Sequence, residues 1–513
     1  MIIVNDTVPS KFYGEGLSER YPFEQRARDI SALTLPYVIR QIGATSTTPF
    51  SKYPAQSFLG RLVNNLKAKM GMALLPPSTS SFRLKPDAQA MVKLFGVGKD
   101  SEQAREKIAQ ELSLNTDAIN NELENQQIRS SLFDMIIQQI IVGSVIVEKV
   151  PKKGIIIYPL TSFIVDLDSQ GNPLAMCIKE TIKHLPDNIT PKDANKDEYD
   201  LYTLLALDKD SGKWIMKQDI DGEIVGEEKT FKDYDSLPFR YFGWNWIQGD
   251  DYHRPFSEDY YSDMQQVDNL AKLNTQGAII AAKSVLLVNQ RGGRTRKQDL
   301  VNASNGAVID GSADDITAFQ FNKNYDFKTS NDREAIIKKE LMQNFLDTGS
   351  ITRNAERVTA EEIRMMAQQL EASSLAGVYS KMALNWSKWI VQKVMNEIGI
   401  KFDAVDVSVL TGLDALGRSQ EAQKQDSFMQ RVAQLQLNNW INSNELLQRY
   451  ASFDGINTVG LLKTSQEVQQ EQQQQQQQMQ QQELASASAK SAGQEGGKQA
   501  VQALTQQQQT GGQ

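Results

Sequence analysis

The chain has 513 residues, 55 Lys and Arg against 63 Asp and Glu, a net charge of −8 and one cysteine. That length leaves room for two or more cores, and the acidic balance argues against a basic nucleic-acid-gripping domain without excluding a nucleic acid that passes without adhering. The lone Cys177 rules out an intrachain disulfide framework and a thiolate metal cluster, and a reducing cytoplasm fits it best.

The opening MIIVNDTVPSKFYG has neither the basic region nor the long apolar core of a signal peptide. The most apolar runs, MIIQQIIVGSVIV (135–147) and AIIAAKSVLLV (278–288), are too short to span a bilayer and are interrupted by Gln or Lys. A soluble protein is expected. From Glu19 to Leu75 the periodicity is helical: PFEQRARDISALTLP, a turn-rich break, then AQSFLGRLVNNLKAKMGMALLPP with Phe58, Leu62, Leu66 and Met70 on one face. Pro76 and Pro77 stop it. Residues 100–143 are helical again, with Leu132, Met135, Ile136 and Ile140 as the inward stripe.

After Gly143 the period changes. VIVEKV, GIIIYPL and FIVDLD are β-branched runs separated by turn residues, and AMCIKETIKHL, YDLYTLLALD and KWIMKQDI continue the pattern. The first 250 residues thus describe a mixed α+β body. A long helix is predicted over 258–284, with Met264, Val267, Leu270 and Leu273 at helical spacing; it would be roughly 40 Å long at about 1.5 Å per residue. Short apolar runs in a Gly-rich setting then suggest strands, and the helical pattern resumes at 330–348 with Ile337, Leu341 and Phe345 on one face.

Next comes RNAERVTAEEIR (353–364), dense in both charges. Thr359 followed three residues later by Glu362 is a capping box, so a helix is expected from Thr359 to about Ile398, carrying Tyr379, Met382, Trp386, Ile390, Val394 and Ile398. Arg353 to Val358 is then a polar segment between two helices. The Gln-rich stretch from 469 and the Ala, Ser and Gly residues after it bury too little apolar surface to offset their ordering entropy, so a mobile tail is expected.

Catalytic chemistry finds little support. His184 and His253 are the only histidines, and no GxxxxGK[ST] phosphate loop occurs. Asp166 and Asp168 imitate a nuclease metal pair, but a strand end entering an Asp/Gly/Asn/Pro turn explains them better. Arg291, Arg294, Arg296 and Lys297 form a basic cluster in a Gly-rich turn, suited to phosphate or an acidic partner, or simply a solvated hairpin end balanced by Asp310, Asp314 and Asp315. The aromatic run FRYFGWNWIQGDDYHRPF (239–256), and Trp386 with Trp389, read as core packing.

The order of these parts resembles the portal, or head-to-tail connector, proteins of short-tailed podophages of the autographivirus type. The resemblance runs from about Ser18 to Gly460 and is carried by PFEQRAR (22–28), FLGRLVNNLKAKMGMALLPPSTSSFRL (58–84), ERVTAEEIR (356–364), LEASSLAGVYSKM (370–382) and TGLDALGRS (411–419). The Gln tract departs from the family pattern. The resemblance implies a mainly helical α+β portal fold assembled as a dodecameric ring around a DNA channel. Residues 1–257 would be the wing, 258–284 and 330–348 the stem helices, and 285–329 the clip; 349–358 would be the tunnel loop, 359–463 the crown and wing helices, and 464–513 the tail. It further implies that Arg353, Asn354, Glu356 and Arg357 face the channel and that Arg291, Arg294, Arg296 and Lys297 form the clip surface that docks the terminase large subunit and then the tail adaptor.

The other implied partners are double-stranded DNA, the major capsid, scaffolding and internal core proteins, with no membrane, cofactor, metal or catalytic residue. The location implied is the virion portal vertex, after assembly in the host cytoplasm. The competing readings are a scaffolding or adaptor protein without a channel and a metal-dependent nuclease.

Overall fold

The computed structural model describes residues 7–44, 54–76, 80–86, 102–184, 196–282, 285–288, 296–304, 316–319, 324–347, 375–400, 405–409 and 425–432, with isolated positions and short pieces elsewhere. The chain divides into two compact units, one of residues 1–83, 119–402 and 407–416 and the other of 84–118, 403–406 and 417–513. Both multistranded sheets and the long helical hairpin lie in the first.

Helix α1 (Pro9–Leu33) starts ten residues before the helical pattern suggests. The reason is tertiary. Pro9 occupies the first helical turn, where its missing N–H costs nothing, and Ser10 donates its backbone N–H and its hydroxyl to the carboxylate of Asp219. Helix α2 (Phe58–Leu74) buries Leu62, Leu66 and Met70 completely, as the stripe predicts, while Phe58 at its start is only half-buried. Strand β1 (Phe82–Pro86) follows. The expected helical stretch 100–143 is two helices, α3 (Glu102–Asn125) and α4 (Ile128–Ile141), broken where Gln127 takes a left-handed backbone with φ 54°. The predicted inward stripe of α4 is fully buried.

Two antiparallel sheets make the body. In the first, β2 (Ser144–Val150) is flanked by β3 (Gly154–Tyr158) and β9 (Phe239–Gly243), with Ile146 opposite Tyr158 and Tyr241. The second runs β4 (Phe163–Leu167), β5 (Pro173–Ile182), β6 (Tyr199–Asp208), β7 (Lys213–Ile220) and β8 (Glu223–Phe231) in meander order. Asp221 and Gly222, both with positive φ, make the tight turn between β7 and β8. Helix α1 covers one face of this sheet: Tyr13 packs with Ile164, Ala175, Cys177, Leu204, Ala206 and Ile215. The sequence reading missed β8 as a strand, because EIVGEEKTF is exposed along nearly its whole length and lacks alternation.

Helix α5 (Tyr261–Ala282) follows a short 3-10 turn; its 22 residues span about 33 Å at ~1.5 Å each, shorter than expected. Met264 and Val267 are fully buried, but Leu273 is 59% exposed and does not join the inner stripe. Then come β10 (Val285–Val288), the short α6 (Lys297–Asn302), β11 (Ile316–Phe319) and α7 (Asn324–Asn344). Strands β10 and β11 pair antiparallel, Val285 opposite Phe319 and Val288 opposite Ile316, as the sequence suggested for this region.

The single helix expected from Thr359 to Ile398 is interrupted. Ala372 and Leu375 are turn residues, α8 (Ala376–Met382) passes through a π segment at Ala383–Ser387, and α9 (Lys388–Ile398) ends at Gly399. Ser373 causes the break by giving its hydroxyl to the Leu370 carbonyl and accepting the Leu375 N–H, so a side chain replaces helical backbone bonds. Trp386 and Trp389 are each 1% exposed and both stack edge-on against Phe242, which bears out core packing for them. Strand β12 (Val405–Val409) follows. The capping box at Thr359 and nearly all of the tail lie outside the described residues.

Candidate functional site

Helices α5 and α7 form an antiparallel hairpin with the β10/β11 pair beyond it. Tyr260, just before α5, meets Phe345, just past α7, with ring centroids 5.6 Å apart. Farther along, the Asn274 amide donates to Glu334 at 2.6 Å and accepts from the Ser330 hydroxyl at 2.8 Å. Lys338 completes this polar bridge with a 2.5 Å ion pair to Glu334. Asp268, 2% exposed on the inner face of α5, accepts the Ala55 N–H at 2.8 Å and pairs with Lys272. Apolar contacts hold the hairpin near its base, and charge-assisted hydrogen bonds take over along its length.

The foot of the hairpin is built in two layers. In the first, Phe256 packs on Trp244 at 5.3 Å and on Phe345 at 4.9 Å, so the residues that open α5 and close α7 share one aromatic cluster. Beneath it, the His253 N–H donates to the Ser144 hydroxyl at 2.8 Å, and Tyr241 Oη lies 2.8 Å from Ser144 Oγ and 3.0 Å from His253 Nδ1. Gly243 makes room, since a Cβ there would lie 2.0 Å from the imidazole. Burial, aided by the charge of Lys381, pushes the His253 pKa down to about 3, so the ring is neutral at ordinary pH and acts as a hydrogen-bonded strut.

The second layer caps α7. Leu346 has φ 56°, its N–H bonds the Gln343 carbonyl at 3.1 Å, and the Asp347 N–H bonds the Met342 carbonyl at 2.7 Å. This is a Schellman motif with leucine where glycine is usual; a non-glycine residue there costs roughly 1–2 kcal/mol. Lys69 of α2, only 2% exposed, donates its ammonium to the Leu346 carbonyl, and Arg61 of the same helix lies 3.8 Å from the Asp347 carboxylate. Burial lowers the Lys69 pKa, partly offset by Asp347. Beside this anchor an open cleft of about 590 Å³ is lined by Phe58, Arg61 and Lys338. Both cations sit 5.4 Å from the Phe58 ring centroid and are already engaged with Asp347 and Glu334, so the cleft is a support rather than a ligand pocket.

Of the sequence-singled residues, Arg296 and Lys297 are exposed at the start of α6, beyond the hairpin. Arg291 and Arg294, and the whole set Arg353, Asn354, Glu356 and Arg357, lie outside the described residues. Asp168 accepts the Gln170 and Asn172 N–H groups at 2.8 Å each and the Asn172 amide at 3.0 Å, which makes it the turn residue the sequence favoured. Among the described residues no group of three or more His, Cys, Asp or Glu is placed to hold a metal ion, and no helix is long and apolar enough to cross a membrane. Sequence reasoning missed Lys69, Asp268, Asn274 and Glu334. Two of them carried a signal: Lys69 falls three residues after Leu66, and Asp268 four after Met264, so each is a charge on a buried stripe.

The family model for bacteriophage head to tail connecting proteins matches residues 13–462. The chain belongs to this family. It is 28% identical over 478 residues to the portal protein of Escherichia phage T7, covering 88% of each chain, and 28% identical over 436 residues to that of Enterobacteria phage SP6, covering 82% of each. The resemblance read from the five sequence blocks is thereby met, and a structural role in the phage particle comes with the family. Among solved structures, the neck of an empty gene transfer agent particle aligns over 83% of this chain and 94% of its own at 10% identity, with a TM-score of 0.38, too low to add weight.

Proposed function

We propose that the chain is the subunit of a dodecameric portal ring at one capsid vertex, a non-enzymatic conduit for double-stranded DNA during packaging and ejection. The observation that carries this reading is the α5/α7 hairpin itself. It is firmly footed in the body, yet Leu273 and Ile279 on α5 and Ile336 on α7 stand 59%, 55% and 51% exposed along it. Large apolar side chains on an otherwise polar two-helix stem suit burial against a neighbouring copy, and head-to-tail contacts that close by rotation make a ring. In this reading α5 and α7 are the stem, β10 to β11 with α6 the clip, and the sheets the wing. Residues 349–358 are the tunnel loop and 359–463 the crown and wing helices. The ring nucleates procapsid assembly with the major capsid and scaffolding proteins in the host cytoplasm, and its crown receives the internal core proteins.

Arg353, Asn354, Glu356 and Arg357 then line the channel. An acidic chain supplies a conduit that does not grip phosphate, while the two arginines make local, reversible backbone contacts that accept any sequence. At the other end Arg291, Arg294, Arg296 and Lys297 dock the terminase large subunit and later the tail adaptor. End-on electron micrographs of the purified chain test the ring: a closed ring with a channel of duplex width is the expected image, and a monomer or open filament overturns the reading. The Arg353→Ala/Arg357→Ala double variant is expected to assemble normally but to fill or retain less DNA. Normally filled particles from that variant would remove the channel role of the loop.

A further inference from the structure

We propose that Lys69 is a positioning residue that sets the direction in which the chain leaves stem helix α7. Three observations converge on the joint at Leu346. Its backbone is left-handed in a residue for which that conformation is costly. A lysine buried to 2% exposure gives its ammonium to the carbonyl of that same residue, although burial lowers its pKa. On either side, Phe345 is locked into the aromatic foot and Asp347 faces Arg61.

A Schellman turn alone stops a helix without any outside help, and with glycine at the left-handed position it does so free of strain. Here the turn uses leucine, and the support comes from α2, a helix 277 residues away in sequence at the Lys69 contact. Strain of this kind persists only where surrounding structure over-determines it. Without the ammonium, the Leu346 carbonyl loses its partner and the residue is free to return to a right-handed backbone. That return would extend α7 and redirect the chain beyond Asp347. Lys69 therefore couples the body to the exit of the stem. The consequence for DNA rests on the tunnel-loop reading of 349–358; the coupling itself does not.

A double-mutant cycle separates the two. Lys69→Met keeps the bulk and removes the charge, and Leu346→Gly removes the strain; each variant and the pair are compared with the parent by thermal midpoint and by the fraction of genome-filled particles. Lys69→Met is expected to lower the midpoint by a few degrees, and less in the Leu346→Gly background, because glycine holds the left-handed turn unaided. Ring assembly should persist, filled particles should fall severalfold, and Leu346→Gly or Lys69→Arg should restore them.

Additive midpoint losses would show that Lys69 merely fills the core and would overturn the proposal. Coupled midpoints with undiminished filling by Lys69→Met would overturn the positioning role while keeping the joint. Reduced filling by Lys69→Met alongside normal filling by Arg353→Ala/Arg357→Ala would leave the joint standing and sink only the tunnel-loop reading.

Discussion

The two ends of the α5/α7 hairpin are built on opposite principles. At the foot, Phe345, Phe256, His253 and Lys69 are each at most 5% exposed, and His253 Nδ1 and Lys69 Nζ are hydrogen-bonded to Tyr241 and to the Leu346 carbonyl. Beyond the other end, Arg296 and Lys297 are exposed, Val301 is 72% exposed and Val308 fully so. The foot is specified by interior packing, where a side chain has one place to be. At the tip the described residues present exposed charge together with exposed apolar side chains.

The sharpest way to break this contrast is to truncate one apolar side chain at each end. Phe345→Ala is expected to cost about 3–5 kcal/mol, the range for a buried phenylalanine that leaves a cavity, read as a lower urea midpoint at unchanged slope. Val301→Ala should stay within about 0.5 kcal/mol of the parent. Equal losses at the two positions would mean that the tip is as well packed as the foot.

Acid should act on the foot as well. The folded pKa of His253 is about 3, below its ordinary 6.5. Between those values the unfolded chain binds a proton that the native chain refuses, so stability from this group is fully present above pH 6.5 and is lost as pH falls toward 3. The loss is on the order of a few kcal/mol. His253→Asn should lower stability at pH 7 yet flatten the dependence over that window, measured as denaturant midpoints across pH. An unchanged slope in the variant would show that other groups carry the acid sensitivity.

Much of the architecture was legible because burial imposes period. Leu62, Leu66 and Met70 in α2, Met135 and Ile136 in α4, and Ile337, Leu341 and Phe345 at α7 all point inward as their spacing requires. What failed was decided by atoms far away in sequence. The start of α1 depends on Asp219, 209 residues downstream, and β8 is held by its pairing with β7 and by the Asp221–Gly222 turn rather than by a buried face. Leu273 lies nine residues after Met264, which at about 100° per residue puts it on the opposite face of α5, so a run of three-residue steps drifts out of the buried stripe.

The foot was half legible. A lysine on the stripe of α2 flags a buried charge, but nothing in NNLKAKM names the Leu346 carbonyl as its acceptor. The basic cluster was visible in the sequence; Arg296 and Lys297 are exposed, and Arg291 and Arg294 lie outside the described residues.

The smallest expected change in stability belongs to the tip, and it is the most informative about function. Arg296→Glu/Lys297→Glu reverses two charges on side chains that face solvent, where substitutions typically move stability by no more than about 0.5 kcal/mol. The same variant should weaken docking of the terminase large subunit or the tail adaptor severalfold at low salt, chiefly through slower association, because exposed rim charges steer encounter more than they hold the complex. At high ionic strength the Debye length shrinks to a few Å and the parent should lose its advantage. Binding rates measured on assembled rings at two salt concentrations give the comparison directly. A variant that binds as fast as the parent at low salt would leave the cluster as a solvated hairpin end.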